Sequence, residues 1–421
     1  MRAEDLVHFC APGRLIIRPG ARHELPALLA RLGHRHGLLV TDRFFTQNTP
    51  WVREYVEAAQ ALGVETLVYD GGMPDPTTVL CDSATDEVQN RLGGKALDHV
   101  LALGGGSNID LAKALCLTLP SGKPICSFVG QIPSGTEVLP LIALPTTSGA
   151  GSEATPGAIL VDPQNATKIA VMDNALRPCI ALVDPEFTYT CPARVTADSG
   201  IDALVHAVES FLTQDSAVFE REGNVDPGYS GRSALTMIFA RESIRLCAAY
   251  LERAYRDGND REARIGMSYA SVYAALSYGS AGLNAVHGIA YGIAGLTHKT
   301  HGQTNAVIFP YVLDALRGDR GSELREVATL FGISGSDEDV RLVHAMRDLV
   351  DRLGIPTNLA DFGIREEQLD TLLGDALGVT RLLKAFPVPD AQESYRRIIQ
   401  NAWHGRLGRE SERATPQPVG A

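Results

Sequence analysis

Asp202, His206, His287 and His301 are the residues of this chain whose types and spacing best suit holding one divalent cation. The first two lie in Gly200-Ile201-Asp202-Ala203-Leu204-Val205-His206, an i, i+4 pair that a helix turns to one face. His287 and His301 are separated by roughly 21 Å if one straight helix carries both, so a single ion can reach them only if the chain reverses in between. Gly292 and Gly295, followed by Thr297-His298-Lys299-Thr300, are the expected place for that reversal. Three imidazoles and one carboxylate would leave such an ion with net positive charge, suited to Lewis-acid work on a carbonyl oxygen. Each position also has a plainer reading. A lone buried histidine is commonly a hydrogen-bonded core residue, and Asp202 reads equally as a first-turn acid of a helix starting near Ser199-Gly200.

Elements that can position these side chains fall into two halves. From Gly37 to Ser152 short apolar runs alternate with amphipathic stretches. Gly37–Asp42, Glu65–Asp70 and His99–Leu103 read as buried strands, with helices over Val52–Leu62 and Thr78–Leu92, an order that predicts a parallel sheet. After the third strand come Gly104-Gly105-Gly106-Ser107-Asn108, with a helix expected from about Asn108. Such a loop lets backbone amides and the positive end of a helix dipole face a pyrophosphate, although a plain tight turn has the same composition. Asp42 ends an earlier strand and suits either a ribose hydroxyl or the N-cap of the next helix. Pro145-Thr146-Thr147-Ser148-Gly149-Ala150-Gly151-Ser152-Glu153 offers hydroxyls and open backbone to a cofactor, as flexible loops also do.

Past Asp184-Pro185 the periodicity becomes helical, clearest over Ile201–Leu212, Ser233–Ala254, Arg261–Tyr278, Leu342–Arg352 and Gln392–Ala402. The division is therefore a dinucleotide-binding α/β domain over 1–185 and a helical metal-binding domain over 186–421. Both have ordinary size in a chain of 421 residues. A net charge of −12 argues against nucleic acid or an anionic membrane as partner and leaves a small molecule. Seven scattered cysteines without a Cys-x-x-Cys fit a reducing cytoplasm, and the charged start at Met1 carries no secretory pattern. No apolar stretch approaches the roughly 20 residues of a membrane span. The end of the chain, up to Ala421, is expected to fray.

The glycine loop with Asp110 and Lys113-Ala114, Thr146-Thr147-x-Gly149-x-Gly151-Ser152-Glu153, Val183-Asp184-Pro185, Gly200-Ile201-Asp202-Ala203 with His206-Ala207 and Glu209-Ser210, and His287 with His301-Gly302 occur in one order over most of the chain. In this it resembles the group III, iron-containing alcohol dehydrogenases. The resemblance implies a Rossmann-like parallel-sheet domain, an all-α C-terminal domain of dehydroquinate-synthase-like architecture, and a cleft holding NAD or NADP beside Fe(2+), with Zn(2+) as the other candidate ion. It implies Asp202, His206, His287 and His301 as ligands. It places Gly104, Gly105, Gly106, Ser107, Thr146, Thr147, Ala150 and Lys168 against the cofactor, assigns Asp42 to NAD preference, and suggests a homodimer or larger. Tyr291 stands where many members have a second histidine, and Ala150 where they have a threonine. Tyr291 and His301 become the residues nearest the chemistry, Tyr291 as a proton donor with an ordinary pKa near 10.

The expected reaction is hydride transfer between NAD(P)H and a small aldehyde. A tyrosine at position 291 resembles branches acting on acid-bearing aldehydes such as phosphonoacetaldehyde, with Lys299 and Arg177 as residues that can neutralise the acid. The alternatives are a hydroxyacid-oxoacid transhydrogenase and a dehydroquinate-synthase-like lyase. The lyase needs several basic residues facing the metal, and few lie near the ligand motifs.

Overall fold

Apolar runs of four to six residues ahead of Pro185 form the strands, because aliphatic side chains covered on both faces suit a parallel sheet. The computed structural model describes residues 7–408 except 131, 165, 166 and 222; the expected frayed tail near Ala421 lies outside the described residues. The strands are β1 (Arg14–Ile17), β2 (His36–Val40), β3 (Glu65–Tyr69), β4 (His99–Gly104), β5 (Leu141–Pro145), β6 (Gly157–Asp162), β7 (Thr167–Met172) and β8 (Ile180–Val183). Six of them make one parallel sheet in the order β1-β8-β5-β4-β2-β3. Apolar clusters cover both its faces.

Chain order reverses between β2 and β4, so the crevice at the carboxyl ends of these neighbours is the place where such sheets take ligands. Asp42 and the glycine loop follow those two ends. Asn108 ties them together, its Nδ2 donating to Asp42 Oδ2 (2.8 Å) and to Leu103 O (3.2 Å). Only glycine fits against that amide. A Cβ on Gly104, which has φ +149°, would stand 2.2 Å from Asn108 Nδ2, and one on Gly72 2.3 Å from its Oδ1.

The antiparallel β6–β7 hairpin, which the sequence reading did not anticipate, lies over the helix Gly106–Ser121. Two motif residues hold it there. Asp110 accepts from Ile159 N (3.0 Å) and from Ser152 Oγ, and the buried Lys113 donates to Thr155 O (2.9 Å) and Gly157 O (2.8 Å).

After β8 every regular element among the described residues is helical. The helix Ala193–Leu212 is at the centre of this half, and every residue from Gly200 to Leu212 is buried. Helices Ala234–Arg256, Arg261–Ala281 and His301–Ala315 pack round it into one apolar core. Because this helix starts at Ala193, Asp202 is mid-helix and buried, and the first-turn reading of it fails.

The reversal between the two distant histidines is also shorter than expected. Gly292 and Gly295 are inside the helix Ala285–Thr297, and the chain breaks only at His298-Lys299-Thr300 before the helix His301–Ala315. His298 takes the left-handed conformation, φ +54°, that ends the first helix. Gly292 is small for packing: a Cβ would stand 2.8 Å from Leu372 Cδ1.

Candidate metal centre and nucleotide cleft

One turn of helix puts Asp202 and His206 side by side, and the break at residues 298–300 brings His301 back beside His287. One donor atom from each of the four falls within 4.8 Å of the others. The Nε2 atoms of His206, His287 and His301 each stand 3.8 Å from Asp202 Oδ1. That is too long for hydrogen bonds and near the edge, roughly 3.4 Å, of a tetrahedron of donors ~2.1 Å from a central ion.

The outward nitrogens orient the rings. His206 Nδ1 donates to Gly149 O (3.2 Å), and His287 Nδ1 is hydrogen-bonded to the buried carboxylate of Glu209. Glu209 also accepts from Val286 N (2.7 Å) and Asn284 N (3.2 Å). With Glu209 ionised, both Nε2 lone pairs are aimed inward, as ligation needs. Tyr278 stacks on His206 at 4.2 Å between centroids and donates its hydroxyl to Ala150 O (2.5 Å). Close backbone approach makes this convergence possible. A Cβ on Gly149 would lie 2.2 Å from Ser199 O and one on Gly302 2.0 Å from Asp198 O, so loop and helix both press onto the Ala193–Leu212 backbone. Asp198 also accepts from Thr300 Oγ1 (2.7 Å) and Gln303 Nε2 (3.0 Å), fixing the start of the helix that carries His301.

Burial dominates the electrostatics. It pulls His206 and His287 down to about 4 and His301 to about 3, and pushes Glu209 up to about 8. Asp202 is held below its usual value despite burial, because the three imidazoles and the Asn305 amide surround its carboxylate. Neutral imidazoles converging on a carboxylate form a donor set for a cation, and these residues fit a divalent metal.

The centre opens into a cavity of about 350 Å³. Gly106, Ser107, Thr147, Ala150 and Lys168 line it on the sheet side, and Asp202, His206, His287, Tyr291 and His301 on the helical side. The helix Gly106–Ser121 starts there with Gly105 at its N-cap and no side-chain cap, which leaves its first amides for a phosphate. A Cβ on Gly106 would meet the Ala150 Cβ at 2.7 Å, so the glycine loop and the Gly149–Gly151 loop sit in direct contact.

Other expected cofactor residues are outside the cavity lining. Gly104 and Gly105 are behind it, and the buried Thr146 donates its N–H to Gly104 O (3.0 Å). Asp42 caps the helix Arg43–Asn48 through Phe44 N (2.9 Å), so the capping reading of it holds. Lys168 lines the cavity with its ammonium on Asp75 Oδ1 (2.7 Å).

Lys299 and Arg177, expected to neutralise an acid, do neither. The Lys299 ammonium lies 4.1 Å from the Phe362 ring centroid. The Arg177 guanidinium donates to Asn174 Oδ1 (2.8 Å), Ala154 O (2.7 Å) and Gly279 O. The cationic side chains in the cavity are Lys168 and Arg381. Tyr291 also departs from its ordinary pKa: burial raises it, and the nearby Arg381 charge restrains the rise.

Three contributors were given no role from the sequence, Glu209 being named only within its motif. Glu209 is three residues after His206 and Asn305 four after His301, so helical spacing from a ligand was a usable signal for both. Asn305 Nδ2 donates to Asp202 Oδ1 (2.8 Å) and approaches the Nε2 atoms of His287 (3.1 Å) and His301 (3.2 Å). Arg381 offered no local signal.

A parallel sheet with a glycine-lined helix start, facing a buried three-histidine, one-carboxylate centre across a cleft, defines a metal- and dinucleotide-type oxidoreductase. The chain belongs to the iron-containing alcohol dehydrogenase family, whose description matches residues 12–185, while that of the Fe-containing alcohol dehydrogenase family's C-terminal part matches residues 228–403. It is 32% identical to long-chain-alcohol dehydrogenase 1 of Geobacillus thermodenitrificans over 92% of this chain and 94% of the relative. It is 32% identical to the 4-hydroxybutyrate dehydrogenase of Cupriavidus necator over 91% of this chain and 96% of that one. The sulfoacetaldehyde reductase of Bifidobacterium kashiwanohense, solved in complex with NAD+, superposes with a TM-score of 0.81 at 25% identity, covering 94% of this chain and 99% of that one. Among the described residues no helix is long and apolar enough to cross a membrane.

Proposed function

We propose that this oxidoreductase interconverts a small acid-bearing aldehyde and its alcohol with NAD(P) and a divalent metal, iron by family. The observation that carries the reading is the convergence of Asp202, His206, His287 and His301 on the wall of the same cavity that Gly106 and Ser107 line. When bound, the metal supplies Lewis acidity toward a carbonyl oxygen and the nicotinamide exchanges a hydride with the carbonyl carbon.

This chain's own residues position, exclude and protonate. Asp202 and the three Nε2 atoms would hold the ion, with Gly149 O and Glu209 keeping two of the rings in the ligating tautomer. The free amides at Gly106 and Ser107 would take the pyrophosphate, and the Asp42 carboxylate at the end of β2 would favour a ribose hydroxyl over a 2′-phosphate. Tyr278 and Leu283 exclude water beside His206. Tyr291, with its ring centroid 6.1 Å from that of His301, holds a proton on its hydroxyl at neutral pH as any phenol does, and burial strengthens that hold. That proton is available to a product alkoxide, a far stronger base. An acid-bearing substrate is supported by Arg381 in the cavity, and by relatives named for 4-hydroxybutyrate and sulfoacetaldehyde.

NADH and NADPH oxidation by iron-loaded protein against short neutral and acidic aldehydes tests the reading. Selective turnover of an acidic aldehyde is expected. No turnover with any aldehyde, with metal and cofactor bound, would sink it in favour of the lyase alternative.

A further inference from the structure

Resting on the dehydrogenase reading, we infer that Arg381 is the specificity-determining residue of the cavity, binding the oxyanion of a substrate whose carbonyl meets the Asp202–His301 centre one short aliphatic chain away. Of the two cationic side chains that line the cavity among the described residues, Lys168 is already paired with Asp75. Arg381 has no carboxylate within ion-pair distance among the described residues. It projects from the short helix Thr380–Ala385, half-buried, with its guanidinium 5.4 Å from the Tyr229 ring centroid. Among those residues the guanidinium has only the Tyr229 and Tyr291 hydroxyls beside it and no counter-ion, so a ligand oxyanion is the partner that would neutralise it.

Its surroundings indicate where that ligand runs. The Tyr229 ring that the guanidinium lies against and Tyr291 both line the cavity with it, and the Arg381 charge pulls down both hydroxyls that burial raises. Tyr291 is one helical turn after the metal-site residue His287. Arg381, His287 and His301 line the same cavity, which puts the guanidinium and the metal centre on one continuous space. Tyr229, Tyr278, Leu283 and Met172 line the space as an apolar wall fitted to methylenes. The Arg381 fork takes a carboxylate, sulfonate or phosphonate through paired N–H donors.

The test compares succinic semialdehyde with butanal, which lacks the acid, in iron-loaded wild type, Arg381→Leu and Arg381→Lys. Sulfoacetaldehyde and phosphonoacetaldehyde are included to separate the three oxyanions. Arg381→Leu is expected to raise the KM for the preferred acidic aldehyde about 30- to 300-fold, while butanal kinetics stay within about threefold. Arg381→Lys should recover part of the loss, since it keeps the charge and loses the fork. Calorimetry of 4-hydroxybutyrate binding gives a readout without turnover, and Arg381→Leu should weaken it at least about tenfold. Equal losses on both aldehydes, or an unchanged KM for the acid, would overturn the assignment. If the wild type reduces butanal as readily as any acidic aldehyde, the assignment fails and the dehydrogenase reading stands; if it reduces none, both fail.

Discussion

The two walls of the cleft are built from opposite materials. The sheet side is backbone and small side chains: Gly106, Ser107, Thr147 and Ala150 line the cavity, the missing Cβ atoms of Gly104, Gly106 and Gly149 let the loops close up, and the charged motif residues Asp110 and Lys113 hold the β6–β7 hairpin. On the helical side everything depends on buried ionisable side chains that no isolated fold would choose to bury. The contrast teaches what each wall awaits. A backbone cradle suits a ligand that brings its own charge, whereas a largely buried cluster of one carboxylate and three neutral imidazoles suits a cation.

Removing one donor breaks the comparison most severely. His287→Ala should lower turnover by on the order of 10³, with metal content falling in parallel by elemental analysis. Turnover that survives loss of the metal would separate the wall from the chemistry. Next comes Gly302→Ala, whose Cβ would meet the Asp198 carbonyl at 2.0 Å. Chemical denaturation should register a loss of ~1–3 kcal/mol, with poorer metal retention because His301 is displaced.

Glu209 sharpens the contrast through its proton. In the metal-free protein burial holds its carboxyl at about 8, so it is mostly protonated at pH 7, while His206, His287 and His301, at about 4, 4 and 3, are already neutral. A cation on His287 favours the carboxylate, so metal binding should release about one proton, and affinity should rise with pH between about 5 and 8. Calorimetry in buffers of different ionisation enthalpy reads this directly. Glu209→Gln should abolish the release and weaken metal binding about 10- to 100-fold. The smallest effect belongs to the backbone wall. Asp42→Ala should cost ~1 kcal/mol of stability through the lost cap and shift the ratio of NADH to NADPH activity toward NADPH.

The same division explains what was legible in the sequence. The strands at His36, Glu65 and His99, the helices at Thr78 and Arg261, and the glycine loop are written locally, in apolar runs and turn residues, and the structure has their ends within three residues. The ligand set was legible in part, because i, i+4 spacing is local; the return of His301 to His287 depended on a break whose position the glycines at 292 and 295 misplaced. Gly292 is small because Leu372 packs on it, a tertiary reason with no local signature, and Gly295 meets nothing there. Arg177 and Lys299 are close in sequence to important segments yet spend their charges on carbonyls and a ring. Arg381, some eighty residues beyond the last ligand, reaches the cavity only through the fold.

The central claim is that the helical wall exists to hold one divalent ion beside the nucleotide crevice. Anaerobic titration of metal-stripped protein with Fe(2+), followed by calorimetry and thermal unfolding, tests it most directly. The account predicts one ion per chain and a raised unfolding midpoint, both lost in Asp202→Ala. No uptake by the wild type, or uptake that persists unchanged in Asp202→Ala, would contradict it.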